Sequence, residues 1–240
     1  MNLIQHANQP SRLLLVWQPP EGKPRTRLVV GELCMENNSY KFHYLENTTD
    51  FTKAREEGFV CYPAFPKLDQ DYNVGVLETF LSRIPPRKRG DFNKYLEQWR
   101  LAPDVDIPDF ALLGHTGAKL PNDGFSLINP FDYTDAPFEF YIEVAGFRYQ
   151  KNINLDDISV DMAVNFIAEP DNSFDPQAVK IETLGRIIGY VNKIQSPAFT
   201  RWLEHYSITA CIERLNGTED RPLIYIYGRV QFENEQQIAA

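Results

Sequence analysis

Few groups of residues in this chain combine the types and the spacing that chemistry requires. Gly114–Lys119 (GHTGAK) sets glycines ahead of a lysine, as a phosphate cradle does, but the gap between glycines is too short and no hydroxyl follows the lysine. A glycine-containing turn is the expected reading. No dinucleotide-binding G-x-G-x-x-G, metalloprotease H-E-x-x-H or nucleophile-elbow G-x-S-x-G occurs. The four histidines (His6, His43, His115, His205) are scattered, with no pair at metal-ligand spacing. Neither a metal nor a cofactor is therefore expected. Asp104 and Asp106 stand between prolines and suit a solvated loop better than an acid/base pair. Arg87-Lys88-Arg89 reads as a solvated loop between helices, or as a contact for a partner or a phosphate. None of this points to an enzyme.

Composition narrows the function classes further. At roughly 100–200 residues per domain, 240 residues allow one large or two small domains. A hydrophobic fraction of 43% supports a packed core and argues against wholesale disorder. The 16 Phe and 12 Tyr favour β-structure or surfaces that stack on something. A net charge of −9 opposes a general nucleic-acid coat, which needs many cations to displace counterions. No apolar run is long enough for a membrane span, and Met1–Pro10 has no signal-peptide pattern. Cys34, Cys61 and Cys211 lie far apart and fit reduced thiols acting as core fillers, so the expected location is cytoplasmic. The sequons at Asn37, Asn47 and Asn216 read as chance.

The elements divide into two textures. Residues 1–134 carry 15 basic and 17 acidic side chains, and residues 135–240 carry 9 and 16. Ile128–Pro137, rich in turn formers, reads as a linker between domains at 1–130 and 138–232. In the first, Leu13–Trp17, Arg27–Leu33 and Tyr40–Leu45 read as strands, with Pro19–Pro24 a loop. Val74, Leu77, Phe80, Leu81 and Ile84 have helical spacing up to Pro85-Pro86. A second helix places Phe92, Tyr95, Leu96 and Trp99 on one face after an Asp91 N-cap, and a third is expected over Phe110–Gly114. In the second half, Phe138–Ala145, Val160–Ala168, Ala178–Glu182, Ile187–Val191, Ile208–Leu215 and Leu223–Phe232 read as strands. One helix, N-capped by Ser196 with Pro197 at N1, carries a stripe of Phe199, Trp202, Leu203 and Tyr206. Asn216-Gly217 is the turn signal between the last two strands. The fold class is α+β: a small N-terminal sheet with helices, then a small, partly open barrel around one main helix.

The densest motif is FIAEPDNSFDPQAVKI at 166–181, followed by GRIIGYV at 185–191 and preceded by Gly146-Phe-Arg148-Tyr149. This resembles the HIRAN domain, whose pattern is a strand, then E-P-x-N-x-[Y/F]-D-x-x-A-[V/I]-x-V, then a strand ending G-[Y/H]-[V/L]. The resemblance covers about Phe138 to Val230. It implies an OB-like β-barrel, and in chromatin-remodelling, fork-reversing helicase relatives such a domain captures the 3′-hydroxyl end of single-stranded DNA. It also implies roles. Asp175 would accept the terminal hydroxyl and repel a 3′-phosphate, while Tyr149, Phe174 and Tyr190 would stack unpaired bases. Arg148, Asn172 and Lys193 would hold phosphate oxygens. Phe174 stands where relatives often carry Tyr, and Tyr190 where DNA-binding relatives carry His.

Each of these residues has a plainer reading. Asp171–Pro176 is a strong turn sequence, which Asn172 and Asp175 would shape. Phe174 and Tyr190 would fit barrel core, and Arg148 and Lys193 a solvated surface. The acidic balance of this half disfavours coating of long strands and leaves room for a compact end pocket.

The first half resembles, over Arg12 to Ile128, the N-terminal subdomain of HipA-type Ser/Thr kinases. The matching blocks are Leu14-Leu-Val16-Trp17, Val30-Gly31-Glu32-Leu33, Tyr40-Lys-Phe42-x-Tyr44, Val74–Pro86 and Phe110-Ala-Leu-Leu113-Gly114-x-x-Gly117. The kinase's nucleotide-binding and catalytic segments have no counterpart. The resemblance implies a detached, non-catalytic subdomain that docks a protein partner. Two functions follow: DNA-end recognition with a kinase toxin, helicase or nuclease partner in a prokaryotic toxin–antitoxin, phage-defence or repair setting, or a protein-binding, antitoxin-like regulator of a separate HipA-type kinase.

Overall fold

Hydrophobic runs and turn formers set the strands, and buried aromatic rings decide how they pack. A computed structural model describes residues 1–19, 26–37, 39–132, 136–218 and 221–232. Most of the expected Pro19–Pro24 loop, and residues 133–135 of the expected linker, lie outside the described residues. Two units emerge. One comprises Gln9–Trp99 and Ile107–Asp132; the other gathers Met1–Asn8, Arg100–Asp106 and the described residues from 136 onward.

The N-terminal unit is built on four antiparallel strands: β1 (Arg12–Trp17), β2 (Leu28–Glu36), β3 (Ser39–Tyr44) and β4 (Phe125–Ile128), in the order β3-β2-β1-β4. Helices α1 (Thr49–Glu56), α2 (Val76–Leu81), α3 (Phe92–Gln98) and α4 (Asp109–Thr116) join them. Phe42 stacks on Phe65 at 4.8 Å, and Tyr62 stacks on Phe80 at 5.0 Å. Gly114 lets α4 approach β1, since a Cβ there would stand 2.4 Å from Leu13 Cδ2. That close contact, and Gly117 at φ +71° as C-cap, give the GHTGAK segment its structural role. Buried Arg83 ties the unit together. It makes two bonds to Asp123 at 2.7 and 2.8 Å and donates to the carbonyls of Ala118 and Phe125.

Several expectations change here. Helix α1 and strand β4 were not foreseen; Thr48 caps α1 by accepting from the Phe51 N–H at 3.2 Å. Val74 is 85% exposed, because α2 begins only at Val76 after Gly75 in the left-handed region. Asp91 does not cap α3 with its side chain and instead pairs with Arg89 at 2.6 Å. Arg87 bonds Asp109 and the Ile107 carbonyl, so two of the three cations in the basic run serve the fold. The three cysteines are free and half-buried rather than core. Burial, with the bond the Cys34 thiol donates to Glu32 at 2.8 Å, pushes that thiol up to about 12.

The C-terminal unit has two three-stranded antiparallel sheets. One orders β5 (Phe138–Glu143), β10 (Arg221–Phe232) and β9 (Tyr206–Thr218); the other orders β6 (Asn165–Ala168), β7 (Val179–Thr183) and β8 (Arg186–Tyr190). Helix α5 (Ser196–His205) buries Phe199 and Trp202 against Phe138, Phe140 and Phe166. Isolated bridges Ala145↔Tyr190 and Ala163↔Cys211 link the sheets. Among the described residues the two sheets share no continuous ladder, so the expected partly open barrel is not confirmed.

Local details differ as well. Gln195, not Ser196, is the N-cap of α5, and the buried Ser196 hydroxyl turns back to the Asn192 carbonyl at 3.3 Å. Tyr206 opens β9 rather than extending the helical stripe, and β6 begins only at Asn165. Asn216 and Gly217 are not the turn: they lie within β9, paired with Leu223 and Pro222.

Two outcomes are expected. Trp202→Ala costs about 3–5 kcal/mol in urea unfolding, because a fully buried indole leaves a cavity beside the rings of Phe138, Phe140 and Phe199. At pH 8 Cys34 alkylates far more slowly than a thiol of the urea-unfolded chain, read by mass spectrometry of iodoacetamide-treated protein.

Candidate nucleic-acid interface

The turn between β6 and β7 is closed at its neck by the Glu169 N–H donating to the Ala178 carbonyl at 2.9 Å. Inside it, the Asn172 side-chain oxygen accepts from the N–H groups of Phe174 (3.0 Å) and Asp175 (3.2 Å). The Asn172 amide nitrogen donates to Glu169 Oε2 at 3.0 Å. This is an Asx-type turn, in which a side chain replaces backbone partners. Asp175 continues it by accepting from the Gln177 N–H at 3.0 Å. The turn reading of both residues therefore holds. Its product is that Phe174 stands 96% exposed, which removes the core reading for that ring.

Tyr190 closes β8. Its backbone exchanges two hydrogen bonds with Ala145, at 2.8 and 2.9 Å. Gly189 makes this approach feasible: at φ +144° it has no Cβ, which would otherwise stand 2.4 Å from the Ala145 carbonyl oxygen. The Tyr190 ring is half-buried rather than core. Burial first, and then the hydrogen-bonded Glu169 carboxylate, raise its phenol above the ordinary value. Lys180, opposite Tyr190 in the β7–β8 register, lies 3.6 Å from Glu169 and 3.0 Å from Glu182.

The chain leaving β5 turns at Gly146, at φ +80°, into the single 3-10 turn Phe147–Tyr149. Phe147 is buried there, while Arg148 and Tyr149 point to solvent, Tyr149 at 68% exposure. The Arg148 guanidinium sits 4.6 Å from the Tyr149 ring centroid and donates to its hydroxyl.

Asn172, Phe174, Asp175 and Tyr190 thus form one hydrogen-bonded neighbourhood, and the Ala145–Tyr190 bridge brings the Arg148–Tyr149 segment to its edge. Lys193 lies exposed in the turn before α5, and among the described residues no hydrogen bond or ion pair joins it to the others. Two participants were not singled out from the sequence. Glu169 was visible only as a motif letter, and Lys180 depends on a strand register that spacing does not give.

Residues 137–231 match the HIRAN domain. That family is associated with DNA binding. No curated protein matches the chain. Among solved structures, the HIRAN domain of human HLTF is 17% identical, with 42% of this chain and 81% of that one covered at a TM-score of 0.33. A Lactobacillus plantarum protein is 24% identical, with 38% and 91% covered at a TM-score of 0.32. The HIRAN assignment rests on the family match.

One further cluster lies in the C-terminal unit. Ligand atoms of Asp161, Cys211 and Glu213 fall within 4.8 Å of one another. Glu213 already accepts from Arg100 Nε at 2.6 Å and from Asn2 Nδ2 at 2.8 Å, and Asn2 also reaches Cys211 Sγ at 3.6 Å. These contacts commit Glu213 to an internal ion pair.

The turn geometry separates stability from surface chemistry. Asn172→Ala is expected to lower unfolding stability by about 1–3 kcal/mol, since two turn N–H groups lose their acceptor. Phe174→Ala is expected to stay within about 0.5 kcal/mol of the parent, as an exposed ring packs on little. Chemical denaturation of both variants checks the pair.

Proposed function

We propose that the C-terminal unit recognises 3′-hydroxyl ends of single-stranded DNA and does no catalysis. The supporting observation is that one rigid turn holds an almost fully exposed ring, Phe174, beside the carboxylate of Asp175. Asp175 Oδ1 is committed to the Gln177 N–H, and Oδ2 has no hydrogen-bond partner among the described residues. That oxygen can accept a terminal hydroxyl and repels a phosphate in its place.

The neighbouring groups supply the other handles of a strand end. Phe174 and Tyr149 stack unpaired bases, and Arg148, held over Tyr149, meets a phosphate. Lys193 adds a second cation. Asn172 has spent its oxygen and one amide hydrogen on the turn, so one N–H is left for the strand. Tyr190 contributes its ring edge, its hydroxyl being engaged by Glu169. With 9 basic and 16 acidic residues from 135 to 240, a pocket for one end is the mode the charge allows.

The N-terminal unit, by its resemblance to the HipA N-terminal subdomain, docks a protein partner such as a kinase toxin, helicase or nuclease. The setting is cytoplasmic: a toxin–antitoxin, phage-defence or repair system. No described helix is long and apolar enough to cross a membrane. The same acidic balance favours a second reading, an antitoxin-like protein-binding regulator without DNA affinity.

Fluorescence anisotropy with single-stranded oligonucleotides bearing a 3′-hydroxyl or a 3′-phosphate separates the two. End recognition requires tighter binding of the hydroxyl form and loss of that preference in Asp175→Ala. It also requires weakening by about 1–3 kcal/mol in Phe174→Ala. Equal, weak binding of both oligonucleotides, unchanged by Asp175→Ala, rejects it in favour of the second reading.

A further inference from the structure

The turn that carries Phe174 and Asp175 and the strand that carries Tyr190 are separate elements, yet one side chain touches both. Glu169 stands at the neck of the turn. Its N–H closes that neck on Ala178, and its carbonyl accepts from the Asn172 N–H at 3.0 Å. Its Oε2 accepts from the Asn172 side chain at 3.0 Å, which fixes which way that amide faces and so presents Asn172 Oδ1 to the Phe174 and Asp175 N–H groups. The same carboxylate reaches the Tyr190 hydroxyl on β8 and the Lys180 ammonium on β7.

We propose that Glu169 is a positioning residue for end recognition, its carboxylate holding the Phe174–Asp175 turn in fixed relation to Tyr190 and Lys180. This rests on the DNA-end reading above. Without that clamp the turn keeps its backbone neck but loses the bond that orients Asn172, and with it the placing of Asp175. End discrimination, more than overall affinity, is therefore what Glu169 controls. A displacement of about 1 Å separates a carboxylate that meets a terminal hydroxyl from one that misses it.

Glu182 supplies the control. It also carries a negative charge beside Lys180, at 3.0 Å, and among the described residues it makes no contact with the turn. Glu182→Gln removes the same unit of charge from the same lysine and leaves the clamp intact. Glu169→Gln keeps an oxygen for Asn172 but weakens the bond, and Glu169→Ala removes it.

The test measures, on the full chain, the ratio of affinities for 3′-hydroxyl and 3′-phosphate oligonucleotides, alongside the Asn172 side-chain amide signals in a 15N NMR spectrum. Those signals are identified by their loss in Asn172→Asp. A charge-assisted bond to the hydroxyl gives the parent a ratio of about tenfold or more. The expected order is parent equal to Glu182→Gln, then Glu169→Gln, then Glu169→Ala near unity, with the Asn172 signals displaced only in the Glu169 variants. Should Glu169→Ala fail to fold, Glu169→Gln against Glu182→Gln decides alone. A parent-like ratio in the Glu169 variants, or an equal loss in Glu182→Gln, overturns the positioning role. A parent without any hydroxyl preference overturns the DNA-end reading instead, and unmoved Asn172 signals then overturn the clamp independently of DNA.

Discussion

The C-terminal unit depends on two buried carboxylates. A charge taken out of water must be paired and hydrogen-bonded, and removing one partner of such a pair costs about 3–5 kcal/mol. Glu213 on β9 is answered by Arg100 and Asn2, and Glu139 on β5 by the N–H groups of His6 (2.7 Å) and Gln5 (3.3 Å) and by Arg229 at 3.3 Å. Apart from Arg229 on β10, these partners come from Met1–Asn8 and Arg100–Asp106, segments far from the strands in sequence, which join each other through Ile4 and Leu101. One face of the β5-β10-β9 sheet is thereby held by ionic and backbone bonds and the other by the apolar side of α5. With β5 fixed from both sides, Ala145 just beyond its end has a set place, and the bridge to Tyr190 follows. Everything displayed around that bridge inherits its position from the two glutamates.

Pairing also decides what the acidic charge means. The unit's cations are largely used internally: Lys180 between Glu169 and Glu182, Arg186 with Asp157, Arg229 with Glu139. Arg148, Lys151 and Lys193 are exposed, and among the described residues none of the three makes an ion pair. The net charge therefore reports a surface on which few cations are available. A duplex or long single strand needs many such groups in a row, whereas a strand end offers only a phosphate or two. Placement of Arg148 beside the exposed Tyr149 ring matters more than the total.

What the sequence revealed follows from how local each determinant is. The Asx turn was legible, because Asn172 and Asp175 act within three residues of themselves. So were the strands with strict alternation, such as Tyr40 to Tyr44, and the apolar stripe that buries Phe199 and Trp202. Determinants that depend on distant partners were not legible. Asn216-Gly217 has the composition of a hairpin turn, yet strand pairing with Pro222 and Leu223 runs through it. Helix α1 is short and mostly polar, with only Phe51 and Ala54 buried, so it shows no stripe to read. Barrel closure is a property of ladders meeting end to end, and no local pattern reports where Ala163 and Ala145 stop being continuous strand. Glu169 belongs to this group: its role exists only once β7 and β8 set Lys180 and Tyr190 beside it.

A single exposed apolar ring is ordinary on a protein surface and by itself implies nothing. Phe174 differs because of what holds it out. The bonds that aim it are made by Asn172, whose orientation is set in turn by Glu169, and the same oxygen of Asn172 also fixes Asp175. A ring exposed by neglect would sit on a loose loop with its neighbours uncommitted. Here the neck is closed by the Glu169 N–H on the Ala178 carbonyl, the Asn172 N–H and the Ala178 N–H bond back to Glu169 and Asp175, and the tip is left bare. Tyr149 repeats the arrangement on the neighbouring segment, its ring pinned by Arg148 instead of buried. A ring carried on a fixed backbone loses less conformational freedom when a flat partner stacks on it than one on a loose loop, which favours stacking.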